Sequence, residues 1–155
     1  TNLSFALYIF IFCFLFIFFF KFIQLKILLI ILLFVAAASD VGGYIFGKIF
    51  KGPKLTKISP NKTIAGAIGS LFLSSLVIVF LFYLINEQLN YLTIFVAIIT
   101  SIFCQLGDLF FSFLKRKANL KNTSNFLPGH GGVLDRLDSI LLGIPFGLFS
   151  FLSFF

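Results

Sequence analysis

Charge is scarce in this chain: 11% of its 155 residues are Asp, Glu, Lys or Arg, and only five of those are acidic. There is no Met and no Trp, there is a single His, and Pro occurs four times. The absence of Met removes an initiator, so the chain reads as the carboxy-terminal portion of a longer protein rather than as one that has lost a signal peptide. Its two cysteines, Cys13 and Cys104, both lie within apolar runs. That excludes a disulfide framework and a thiolate metal site, leaving them as small hydrophobes. No repeat or low-complexity linker divides the chain, which reads as a single membrane-embedded domain over 1–155.

What is abundant is apolar surface. Sixty per cent of residues are hydrophobic and 26 are Phe. Runs of 18 or more uncharged apolar residues have no use in a soluble core, and they identify a polytopic, all-α membrane protein. Five spans are expected. Leu3 to Phe20 and Ile27 to Ala38 are the first two, and the second is long enough only if it continues through Asp40 toward Phe50. Ile64 to Ile85 holds no charge over 22 residues, a helix of ~33 Å that crosses the hydrocarbon core. Tyr91 to Leu114 is interrupted only by Gln105 and Asp108, and Ile140 to Phe155 closes the chain.

The basic residues fix an orientation. Five Lys lie between Lys48 and Lys62, and Lys115, Arg116, Lys117, Lys121 and Arg136 follow the fourth span, whereas the turn from Asn86 to Asn90 carries only Glu87. The positive-inside rule puts both basic stretches in the cytoplasm and the Glu87 turn outside, with Lys21 and Lys26 falling on the outer side. A bacterial inner membrane with a cytoplasmic active site fits this pattern. Pairing with anionic headgroups accounts for any single Lys, but the set as a whole is more than that requires.

The remaining charge is concentrated from Gly107 to Asp138, which holds three of the five acidic residues, the only His and both Arg. Asp135 and Asp138, three residues apart, share one helix face and can both reach one cation; alternatively, one of them caps the helix beginning near Ile140. Asp108 has Ser112 one turn later on its own face. Mg²⁺ takes one or two carboxylates together with phosphates and water, so Asp108, Asp135 and Asp138 suit one or two such ions. The turn at Pro128-Gly129 is followed by Gly131 and Gly132, whose backbone N–H groups can face an anion, and His130 between them titrates near neutrality. Upstream, Ser39 to Gly66 reads as a glycine-rich basic loop suited to a triphosphate, with Gly43 among the glycines and Lys48 and Lys62 among the lysines. Asp40, at the end of an apolar run, must lie at the interface or be paired, because a carboxylate at the bilayer centre costs ~2.5–3.5 kcal/mol.

Gly107-Asp108-Leu109, Ser112, Lys115-Arg116, Lys121 and the unbroken run from Pro128 to Asp138 resemble the signature of the phosphatidate cytidylyltransferase family. Asp40 to Tyr44 and Ser59 to Thr63 resemble two further segments of that family, in the same order. The resemblance implies an enzyme that makes CDP-diacylglycerol and pyrophosphate from CTP and phosphatidic acid in phospholipid biosynthesis. It implies Mg²⁺, with room for a second cation, on Asp108, Asp135 and Asp138. Lys115, Arg116, Lys121, His130 and Arg136 would be catalytic, and Asp40, Gly43, Lys48, Ser59, Lys62, Thr63, Ser112, Gly131 and Gly132 would bind substrate. The partners are then CTP, phosphatidic acid and bilayer lipid, not nucleic acid, and a homodimer is left open.

In-line attack by phosphatidate on the α-phosphorus needs no strong general base, since the monoester's second pKa is ~6. What it needs is charge neutralisation and alignment. Three acids of the family pattern are replaced, by Phe111, Ala65 and Asn122. These leave two alternatives: a related CTP-dependent enzyme acting on a polyprenol or prenyl-lipid phosphate, and a catalytically impaired scaffold. A transporter or channel is disfavoured, because the charges collect at one surface instead of at mid-membrane.

Overall fold

The computed structural model describes residues 2–56, 59, 62–86, 91–118 and 134–154, with side chains at 7–85, 91–118 and 137–154 within those ranges. Five helices follow in order: α1 Asn2–Phe19, α2 Ile23–Phe50, α3 Ile64–Asn86, α4 Leu92–Lys117 and α5 Leu134–Phe154. Among the described residues there is no strand, only an isolated antiparallel bridge between Lys54 and Thr63. The last four helices are long and apolar enough to cross a membrane; Leu7–Phe19 is a shorter apolar helix.

The second span continues through Asp40 to Phe50, as its length requires. That continuation corrects one reading of the sequence. Gly42, Gly43 and Gly47 are not in a phosphate-approaching loop but in α2, where they let α3 come close. A Cβ at Gly42 would lie 2.6 Å from the Gly69 carbonyl oxygen, and one at Gly66 would lie 2.6 Å from that of Gly43. In lipid no hydrophobic force drives helices together, so backbone approach through small residues takes its place.

α2 packs chiefly on α3, and α4 on α5, while among the described residues α1 touches only α2 and α5. The core between them is built from Leu29, Leu32, Val35, Ile78, Val96 and Ile144, all fully buried. Phe72, Phe80, Phe95 and Phe149 point outward from the bundle, an arrangement that suits acyl chains as the surrounding solvent. Pro145 sits inside α5 and has no N–H to give the carbonyl four residues back. That carbonyl, of Leu141, instead accepts a hydrogen bond from the Tyr8 hydroxyl of α1.

Candidate functional site

The C-terminal parts of α2 and α4 meet the N-terminal parts of α3 and α5 at one end of the bundle, around a cavity of about 360 Å³. Asp40 enters it from α2, Lys62 from the segment before α3, Asp108 from α4 and Asp138 from α5. Three of the chain's five acidic residues therefore arrive in one place. Ahead of α3, Leu55 N–H donates to the Lys62 carbonyl at 2.7 Å and Ile64 N–H to that of Pro53 at 3.0 Å. Lys51, which ends α2, takes a left-handed conformation with φ 42°.

Each carboxylate is partnered. Asp108 forms an ion pair with Lys62, and its Oδ1 faces the Ser112 hydroxyl at 3.5 Å. Asp138 is buried, accepts from Ser139 N–H at 2.9 Å, and has Lys115 Nζ 3.5 Å from its other oxygen. Asp40 accepts from the Ser139 hydroxyl at 2.9 Å, which ties α2 to α5. The charge of Asp108 repels both Asp40 and Asp138, so three like charges share the cavity with Lys62, and Lys115 stands behind Asp138. Unpaired, such a set would be strongly unfavourable in a low-dielectric site.

Of the residues singled out from sequence, Asp40, Gly43, Lys62, Thr63, Asp108 and Asp138 line the cavity, and Lys115 and Ser112 contact its acids. Thr63 has a structural task as well: its hydroxyl accepts from Gly66 N–H at 3.1 Å and so caps α3. Lys48 is not on the cavity wall; it lies over the Tyr44 ring, 5.6 Å from the centroid. Arg116 is exposed, and Ser59 donates its N–H to the Thr56 hydroxyl, 3.3 Å away. Lys121, His130, Gly131 and Gly132 lie outside the described residues, as do the side chains of Asp135 and Arg136. α5 begins at Leu134, so Asp135 and Asp138 both fall inside the helix and neither precedes it as a cap.

Sequence reasoning missed the polar floor. Gln105 Nε2 donates to the Ser70 hydroxyl at 2.6 Å and the Ala67 carbonyl at 3.3 Å, joining α4 to α3. Ser39 and Ser101, both buried, share a hydrogen bond at 2.8 Å between α2 and α4. Phe111, where the resembled signature carries Glu, is buried in α4. Among the described residues no three His, Cys, Asp or Glu side chains already form a metal cluster. The donors that do meet the cavity are nonetheless hard carboxylate oxygens, the kind Mg²⁺ selects.

The family model described as the cytidylyltransferase family matches residues 1–155. A phosphatidate cytidylyltransferase of Staphylococcus haemolyticus is 47% identical over 109 residues, covering 69% of this chain and 42% of that protein. One from Staphylococcus aureus is 45% identical over 109 residues, with the same coverage of 69% and 42%. One from Helicobacter pylori is 40% identical over 122 residues, 79% of this chain and 46% of that protein. The chain thus spans less than half the length of the curated relatives it matches.

Proposed function

The chain belongs to the cytidylyltransferase family, and on that premise we propose that it forms the catalytic part of a membrane enzyme transferring a cytidylyl group from CTP to phosphatidic acid. The products are CDP-diacylglycerol and pyrophosphate. The observation that carries this reading is the convergence of Asp40, Asp108 and Asp138 with Lys62 at one end of an otherwise apolar bundle. A site so placed takes a polar nucleotide from the aqueous side while the acyl chains of the second substrate stay among the helices. The active site faces the cytoplasm of a bacterial cell in this reading, because both basic stretches belong to that end.

Two polyanions must be brought together, so charge neutralisation is the main task. Lys62 and Lys115, which stand beside Asp108 and Asp138, would bind phosphate oxygens, with Lys121 and Arg136 as further cations from the signature. The carboxylate oxygens of Asp108 and Asp138 fit Mg²⁺, which when bound supplies charge stabilisation at the transferring phosphoryl group; Asp135 belongs to the same helix. Ser112 and Ser139 orient these acids. The phosphatidate oxygen attacks the α-phosphorus as pyrophosphate leaves on the opposite side.

The test is an assay of membranes carrying the full-length protein with labelled CTP, Mg²⁺ and phosphatidic acid. CDP-diacylglycerol is the expected product. Its absence, with label instead entering a polyprenol phosphate supplied in parallel, overturns the assignment of substrate.

A further inference from the structure

We propose that Lys62 and Lys115 are resident counter-ions of the cavity's acids, held on Asp108 and Asp138 in the ligand-free protein and handed to nucleotide phosphates when a divalent cation replaces them. This rests on reading the cavity as a nucleotidyl-transfer site.

The two acids are held in the same divided way. Oδ1 of Asp108 faces Ser112 at 3.5 Å, a residue of its own helix, while its Oδ2 forms the ion pair with Lys62. Oδ1 of Asp138 accepts from Ser139 N–H at 2.9 Å, again from its own helix, while its Oδ2 is 3.5 Å from Lys115 Nζ. One oxygen of each acid therefore faces a group of its own helix and the other is given to an amine from a different element. Departure of the amine leaves the carboxylate in place with one oxygen exposed to a cation.

The electrostatics make some such partner necessary. Carboxylates gathered to bind a cation must survive before it arrives, and in a partly buried site uncompensated charge is costly. A lysine on a flexible stem is suited to the task, since it can neutralise an acid in one rotamer and a phosphate in another. The main chain of Lys62 is pinned by Leu55 N–H at 2.7 Å and by its own N–H to the Ser59 carbonyl at 3.1 Å, so exchange needs only the side chain to swing. Lys115 stands seven residues after Asp108 on α4, two helical turns along the same face. The Lys62 pair is the more open, with side-chain exposures of 24% and 34% against 16% and 10% for Lys115 and Asp138. Lys62 is thus the one to exchange first.

The experiment uses the full-length protein in lipid nanodiscs and an amine-acetylating reagent, with modification read at each lysine by peptide mass spectrometry. Lys51, exposed at the end of α2, is the reference. Lys62 is expected to react slowly without Mg²⁺, several-fold faster with Mg²⁺ alone, and slowly again with Mg²⁺ and CTP, while Lys51 stays constant. In parallel, Mn²⁺ binding without nucleotide, followed by electron paramagnetic resonance, is expected to tighten roughly three- to tenfold in Lys62→Gln and to stay unchanged in Lys51→Gln. Lys62 reactivity indifferent to Mg²⁺, or Mn²⁺ binding no tighter in Lys62→Gln, overturns the exchange. If the parent protein still makes CDP-diacylglycerol in that case, the transferase reading stands without it; exchange without any nucleotidyl transfer overturns the transferase reading alone.

Discussion

A carboxylate in an apolar run announces itself, which made Asp40 and Asp108 legible in the sequence, while Asp138 was legible from its spacing to Asp135 and from the signature run. The proposed role of Asp135 and Asp138 as metal ligands has a direct test. Asp135→Asn and Asp138→Asn preserve size and hydrogen-bonding capacity but remove the charge, so membrane insertion should be normal while nucleotidyl transfer falls by orders of magnitude. High Mg²⁺ should restore part of it if the lost ligand mainly sets ion affinity. Turnover at the parent rate in both variants would leave neither acid a role at the metal. Ser39, Ser70, Ser101 and Ser139 were not legible, because serine is common in membrane helices and many simply bond back to their own helix, as Ser74 does to the Leu71 carbonyl at 3.0 Å. Nothing local distinguishes Ser39 and Ser101, whose bond to each other at 2.8 Å depends on how α2 meets α4. Ser39→Ala and Ser101→Ala should each cost roughly 1 kcal/mol in reversible unfolding from bicelles, and the double variant less than the sum. Strict additivity would mean that the bond contributes nothing.

The limits of helices were the hardest part to read. Hydropathy ends the second span near Ala38, where Asp40, Gly42 and Gly43 follow, and a soluble protein would turn there. The helix instead runs on because glycines in lipid serve close packing, a fact set by α3 and so invisible in α2 alone. The attachment of α1 depends on a similarly remote cause. Pro145 leaves the Leu141 carbonyl without its helical donor, and Tyr8 supplies one from another helix. Tyr8→Phe should therefore loosen α1, seen as faster amide exchange over Leu7–Phe19, whereas in a Pro145→Ala background, where the helix supplies its own N–H, the same change should have much less effect. Equal effects in both backgrounds would detach the tyrosine's role from the proline.

For the molecule as a whole, the count and rough position of the helices followed from uncharged length, and the candidate site was read from where charge collects and from the signature run. What the sequence could not specify was which helix ends meet. The fold answers that: Asp40 and Asp108 come from helices running toward the site, Lys62 and Asp138 from the start of elements running away from it. Alternation of direction along α2, α3, α4 and α5 then puts the ends of α2 and α4, with Lys48 and Lys115 to Lys117, at one end and the end of α3 at Asn86 at the other. On the proposed orientation, the bias in Lys and Arg puts the first end in the cytoplasm. In a background carrying Cys13→Ser and Cys104→Ala, cysteines introduced at Ser59 and Thr123 should be labelled by an impermeant maleimide only from the cytoplasmic face, and one at Asn86 only from outside. Both labels moving to the outer face would invert the orientation but keep the shared site. Labelling of Ser59 and Thr123 from opposite faces would separate Lys62 from the signature's Lys121 and His130 by the thickness of the bilayer, and no single site for CTP could then use them all.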